Sequence, residues 1–167
     1  MYTLTKLIIL RGNSGNGKTM AAQYLQQALS PASAMLVSQD VIRLGILNVK
    51  DYPGNPSIEL IKSICEFGKD KYDYVILEGI LGAAKYKTML LELLSFFKNN
   101  AIVYYFDVSF PETLKRNDLR KESQRFSIKL LKKWWLDKNL LNLSDEYRLP
   151  ENLGKKEIVQ RILKDLK

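Results

Sequence analysis

The chain has 167 residues, enough for one domain with a real buried core, and its 46% apolar and 26% charged content is ordinary for a globular protein. One cysteine and no histidine exclude an internal disulfide, a cysteine metal cluster, a Ser-His-Asp triad and the usual histidine-containing zinc sites. The net charge is +8. No apolar run reaches the length of a membrane span and no signal-peptide pattern opens the chain, so a reducing cytoplasm is expected.

In chain order, "LTKLIIL" over 4–10 predicts a buried strand. A helix is expected over 18–29, with Ala21, Tyr24, Leu25 and Ala28 at helical spacing and Ser30-Pro31 as its stop. Between them, Gly12-Asn13-Ser14-Gly15-Asn16-Gly17-Lys18-Thr19 fits G-x-x-x-x-G-K-[ST], the Walker A motif, at every defined position. Its strand-turn-helix setting is the one the motif requires. Glycines let the backbone curl until successive N–H groups converge on phosphate oxygens, and the following helix adds its positive end. Lys18 would reach the β- and γ-phosphates, and Thr19 would offer its hydroxyl to Mg²⁺. ATP and Mg²⁺ are the expected cofactors.

A second strand is expected over 33–38, followed by "VSQDVIRLGI". A helix starting here puts Asp40 and Arg43 on one face, looking into the cleft. Asp40 would take the proton of an attacking hydroxyl, and Arg43 would steer the acceptor. The turn "DYPGNPS" over 51–57 borders the acceptor pocket, and Ser57 is placed to cap a helix over 58–67. The third strand, 72–79, ends in Glu78, the expected orienter of Mg²⁺ or its water. A helix over 84–98 gathers Tyr86, Met89, Leu90, Leu93, Leu94 and Phe97 on one face. Asp107, near the end of a fourth strand over 101–108, is a weaker metal candidate. After Pro111 a charged helical region is expected to about 136, then a weak strand near 146–149 and a closing helix over 155–166. Strands alternating with helices predict α/β architecture with parallel pairing.

Residues 111–138 hold nine Lys or Arg against four Asp or Glu. Such a block holds an anionic ligand or nucleic acid, or simply faces water. Arg116 and Arg120, four apart and so expected on one helix face, would clamp the transferring phosphoryl group, with Lys115, Lys121 and Arg125 nearby. Trp134-Trp135 would stack on a base or sugar, or divide between core and surface. The Asn-Lys-x-Asp base-reading element of GTPases does not occur: residues 48–51 read Asn-Val-Lys-Asp. Asp51-x-x-Gly54 has no strand before it. A kinase is favoured over a switch or motor.

In this order "LRGNSGNGKT", "SQDVIR", "VILEG" and "YYFDVSFPETLKRNDLR", with a weak strand and terminal helix behind them, resemble the small P-loop kinase group. That group includes shikimate kinase, gluconate kinase, chloramphenicol phosphotransferase and the zeta-toxin kinases. Asp40-x-x-Arg43 also looks like the acceptor-side pair of phage-type polynucleotide 5′-kinases. The resemblance implies a three-layer α/β P-loop NTPase fold with a five-stranded parallel sheet of order 2-3-1-4-5. It implies one kinase domain over 1–167, a mobile lid near 117–127, and adenine held by the main chain of Pro150-Glu151-Asn152-Leu153. It further implies an ATP-dependent phosphotransferase acting on a hydroxyl of a small molecule: a nucleoside, sugar derivative, metabolite or antibiotic. The chain lacks shikimate kinase's Asp-x-Asp element, and "EGILGAA" offers only the separated glycines Gly79 and Gly82. Two other readings stay open, a nucleic-acid end kinase and a nucleotide-binding regulatory or toxin–antitoxin component.

Overall fold

A computed structural model describes residues 4–30, 32–98 and 100–167. At its centre lies β1 (Lys6–Gly12), hydrogen-bonded in parallel to β3 (Tyr74–Gly79) on one side and β4 (Ala101–Asp107) on the other. β2 (Ala34–Ser38) extends the sheet beyond β3 and β5 (Glu146–Pro150) beyond β4, giving the all-parallel order β2-β3-β1-β4-β5. The strand period of two explains why β1 is apolar almost throughout. Leu7 and Ile9 enter one core with α2 (Ser57–Gly68) and α3 (Ala83–Phe96), while Ile8 and Leu10 enter the other with α1 (Lys18–Ala28) and α6 (Lys155–Asp165). Helices thus cover both faces, and each fully buried Leu or Ile contributes roughly 1.5–3 kcal/mol. Because the strands are parallel, Gly12, Ser38, Gly79, Asp107 and Pro150 all end at one edge, where ligands bind in such sheets. Cys65 lies in α2 with no exposed surface, and burial pushes its thiol up to about 12.

Several local expectations are corrected. β1 begins and ends two residues later than 4–10, because Arg11, a charge that argues against strand, is buried within it by Glu146. Ser57 is the first residue of α2 and not its cap: Pro56 holds the cap position, and Asn55 Oδ1 accepts the Ser57 N–H at 3.0 Å and the Ser57 hydroxyl as well. The charged region after Pro111 is two helices, α4 (Phe110–Asp118) and α5 (Ile128–Trp134), joined through a 3₁₀ turn at Glu122–Gln124. Ser109 caps α4 by accepting the Glu112 N–H, and Ser127 caps α5 by accepting the Leu130 N–H at 3.2 Å. Ser30 follows α1 with φ 79°, and Pro31, expected beside it as a stop, lies outside the described residues. No helix among the described residues is long and apolar enough to cross a membrane.

Candidate active site

The loop from Gly12 to Thr19 leaves β1 and opens α1. Gly12 takes φ 150°, and a Cβ there would lie 3.0 Å from both Cβ and O of Phe106, so β1 and β4 approach too closely for a side chain. Gly15 and Gly17 have φ of 78° and 85°, the left-handed turns that aim main-chain N–H groups inward. Ser14 sits half-buried between them and Asn13. No side chain caps α1, which leaves its first N–H groups to an anion. Lys18 is 6% exposed and donates Nζ to Asn13 O at 2.6 Å. Burial lowers its pKa to about 8, against the pull of Glu78 and Asp40. These features fit a polyphosphate.

Two asparagines in the loop anchor it. Asn13 donates Nδ2–H to Leu136 O and accepts the Leu136 N–H at Oδ1, both at 2.8 Å. Asn16 donates to Phe106 O at 3.3 Å and accepts from the Thr113 hydroxyl at 3.1 Å. Behind the loop Arg11 donates Nη1 to Glu146 at 2.6 Å and Nε and Nη2 to Leu81 O, binding β1, β5 and the turn after β3. The motif named Asn13 and Asn16 as nucleotide-binding but not as anchors of the loop, and it did not include Arg11. Arg11, a charge at the end of an apolar strand, was the one visible signal.

Glu78, next to last in β3, is almost fully buried. Its Oε1 accepts the Ser38 hydroxyl at 2.6 Å and its Oε2 the Thr19 hydroxyl at 3.2 Å. No group of three or more His, Cys, Asp or Glu suited to a metal occurs among the described residues. A Mg²⁺ beside Thr19 and Glu78 would therefore take most of its shell from phosphate and water, as that ion commonly does. Asp107 instead pairs with Arg148 at the outer edge of the sheet, which removes it as a metal candidate.

Asp40 follows β2 and opens a π-helical turn, Val41–Ile46, in place of a regular helix. Its carboxylate is 67% exposed and accepts Arg43 Nη2 at 3.2 Å. Arg43 spends Nη1 on Val49 O at 3.0 Å, so it braces the loop that follows Ile46 and orients Asp40. Asp51 in that loop accepts the Tyr86 hydroxyl at 2.8 Å and Lys85 Nζ at 2.9 Å, docking the loop on α3.

A cavity of about 560 Å³ opens above the loop, lined by Gly15, Lys18, Thr19, Arg116, Arg120, Leu153 and Lys155 among others. Arg116 and Arg120 both face it, yet not from one helix: α4 ends at Asp118, and Arg120 belongs to the connection beyond. Arg116 donates to Glu112 at 3.0 Å and to Glu151 O at 2.8 Å, fastening the loop after β5. Of that loop Leu153 lines the cavity. The tryptophans lie edge-on to phenylalanines, Trp134 on Phe126 and Trp135 on Phe110, with ring centroids 5.4 and 5.0 Å apart.

A five-stranded parallel sheet of this order, with a glycine-rich loop leading from its central strand into a helix and helices on both faces, is the three-layer α/β P-loop NTPase fold. No protein-family model and no curated protein matches the sequence. Among solved structures, a gluconokinase from Sinorhizobium meliloti 1021 superposes with TM-score 0.71 at 14% identity, covering 96% of this chain and 91% of the other. The APS kinase CysC of Mycobacterium tuberculosis, in complex with AMPPNP and APS, gives 0.69 at 17%, covering 98% and 97%. Chaetomium thermophilum Kti12, in complex with ADP-AlF3, gives 0.59 at 14%, covering 96% and 99%. At these identities the likeness is one of fold.

Proposed function

We propose that the chain is an ATP-dependent phosphotransferase, one cytoplasmic kinase domain over 1–167 with residues 117–127 as its lid. It would move the γ-phosphoryl group to a hydroxyl of a small molecule: a nucleoside, sugar derivative, metabolite or antibiotic. What supports the reading is convergence. Lys18 and Thr19 line one cavity, Thr19 touches Glu78, and Asp40 and Arg120 lie near enough to Lys18 to shift its ionisation in opposite directions. The main chain of Gly12 to Thr19 holds the donor's phosphates and Lys18 adds its charge. Asp40, oriented by Arg43, takes the proton as the acceptor oxygen attacks the γ-phosphorus; the bond to the β–γ bridging oxygen breaks and ADP departs. Arg116 and Arg120 neutralise charge on the group in transfer. Thr19 and Glu78 would hold a Mg²⁺, which would supply charge neutralisation to the nucleotide's phosphates. The test is label transfer from γ-labelled ATP to a panel of nucleosides, sugars, antibiotics and oligonucleotides. Transfer that disappears in Lys18→Ala supports the reading; no transfer and no nucleotide binding would sink it.

A nucleic-acid acceptor is the second reading. Lys121, Arg125, Lys129, Lys132 and Lys133 are exposed, and none meets an acidic side chain within ion-pair distance among the described residues. Unpaired cations beside a phosphoryl-transfer cleft suit a phosphate backbone. Salt-insensitive binding to a 5′-hydroxyl oligonucleotide would exclude it.

A further inference from the structure

One side chain closes the connection between α4 and α5. Asn117, buried on the last turn of α4, donates Nδ2–H to Phe126 O at 2.8 Å and accepts the Phe126 N–H at Oδ1 at 2.9 Å. Its amide pairs with one residue's main chain as a neighbouring strand would, and residues 118–125 become a closed loop. Further bonds stiffen that loop. The Arg120 N–H reaches Asn117 O at 3.1 Å, the Gln124 N–H reaches Lys121 O at 2.8 Å, and Arg125 Nε reaches Arg120 O at 2.9 Å. The Arg120 guanidinium lies 5.1 Å from the centre of the Phe126 ring and donates Nη1 to Gln124 O at 3.3 Å.

The same face of α4 holds the phosphate loop. Thr113, four residues before Asn117, donates to Asn16 Oδ1 at 3.1 Å, and its methyl lies 3.6 Å from where a Cβ on Gly15 would stand. One rigid helix therefore fixes the distance between the phosphate cradle and the loop carrying Arg120.

We propose that Asn117 is a positioning residue that sets Arg120 against the γ-phosphate end of the nucleotide, so that a loop built before the ligand arrives separates ATP from ADP. The proposal rests on the ATP reading above. Without the clasp Arg120 is still present, but as one conformer among many, and binding must order the loop.

A double-mutant cycle read by calorimetry with Mg-ATP and with Mg-ADP tests it, and needs no acceptor. Asn117→Ala is expected to weaken ATP about tenfold, as Arg120→Ala does, while ADP affinity stays within about twofold. The double variant should bind ATP no more weakly than Arg120→Ala alone. Equal losses for ATP and ADP, or losses that multiply in the double variant, would overturn the proposal. Asn117→Asp keeps the accepting half of the clasp and enters the same cycle if Asn117→Ala does not fold; unfolding of both would make the clasp part of the core and overturn the proposal too. A parent protein that binds neither nucleotide would sink the kinase reading itself, whereas ATP binding with an additive cycle would sink the Asn117 role alone.

Discussion

The Lys18 ammonium is buried, and burial draws its pKa to about 8 from an ordinary 10.5. Between those values the unfolded chain binds the proton and the folded chain releases it, so this group makes the free protein more stable as pH rises across that window. Nucleotide reverses the sense, because phosphates keep the proton on. Binding ATP at about pH 9 should therefore draw a proton from solution, and binding at about pH 6.5 should not. Calorimetry in buffers of different ionisation enthalpy reads that uptake. Affinity should fall as pH passes 8, with the slope absent in Lys18→Met. Asp40→Asn makes a separate prediction: if Asp40 is the base, kcat falls about 100-fold or more while the Kd for ATP stays close to that of the parent. An unaltered kcat would take Asp40 out of the base role. The Walker A residues were legible because their spacing is local. Why two of the variable positions are asparagine was not, since their partners Leu136, Phe106 and Thr113 lie 123, 90 and 97 positions away.

Among the elements, β1 and β5 share the buried pair of Arg11 and Glu146, whose side chains are 0% and 3% exposed. Glu146→Ala leaves the buried guanidinium without its counter-charge, with only Leu81 O still accepting from it, and should lower unfolding free energy by about 3–5 kcal/mol in urea titration. Arg11→Met combined with Glu146→Met should lose less than the two single changes together, because no charge is then left alone. A strand-end arginine reads as a reason to stop the strand, and its partner stands 135 residues away, which is why β1 was placed two residues early. The break between α4 and α5 escaped for a different reason. Leu119 is 87% exposed, and between α4 and α5 Phe126 is the one apolar residue even partly buried, so the hydrophobic period has no core to report there. Ser127 was the readable sign of the new helix, a cap residue just ahead of an apolar position.

For the molecule as a whole, alternating apolar strands and helices sufficed to read the parallel α/β class, while the strand order came with the resemblance to small P-loop kinases; both agree with the structure. Charge is the property that acts at this scale. If Lys121, Arg125, Lys129, Lys132 and Lys133, which meet no acidic side chain among the described residues, bind nucleic acid, log K for a single-stranded oligonucleotide should fall against log salt with a slope of about −3.5, and Lys129→Glu with Lys133→Glu should flatten it. A slope near zero would leave the surplus as a solvated face. Cys65 offers a practical opening. Its sulfur is sealed in α2 and protonated far above neutral pH, so maleimide reagents should pass it by. Ser123→Cys, on the exposed loop that carries Arg120, would then accept a fluorophore at one known point, and stopped-flow mixing would time the arrival of nucleotide beside that loop in a protein otherwise untouched.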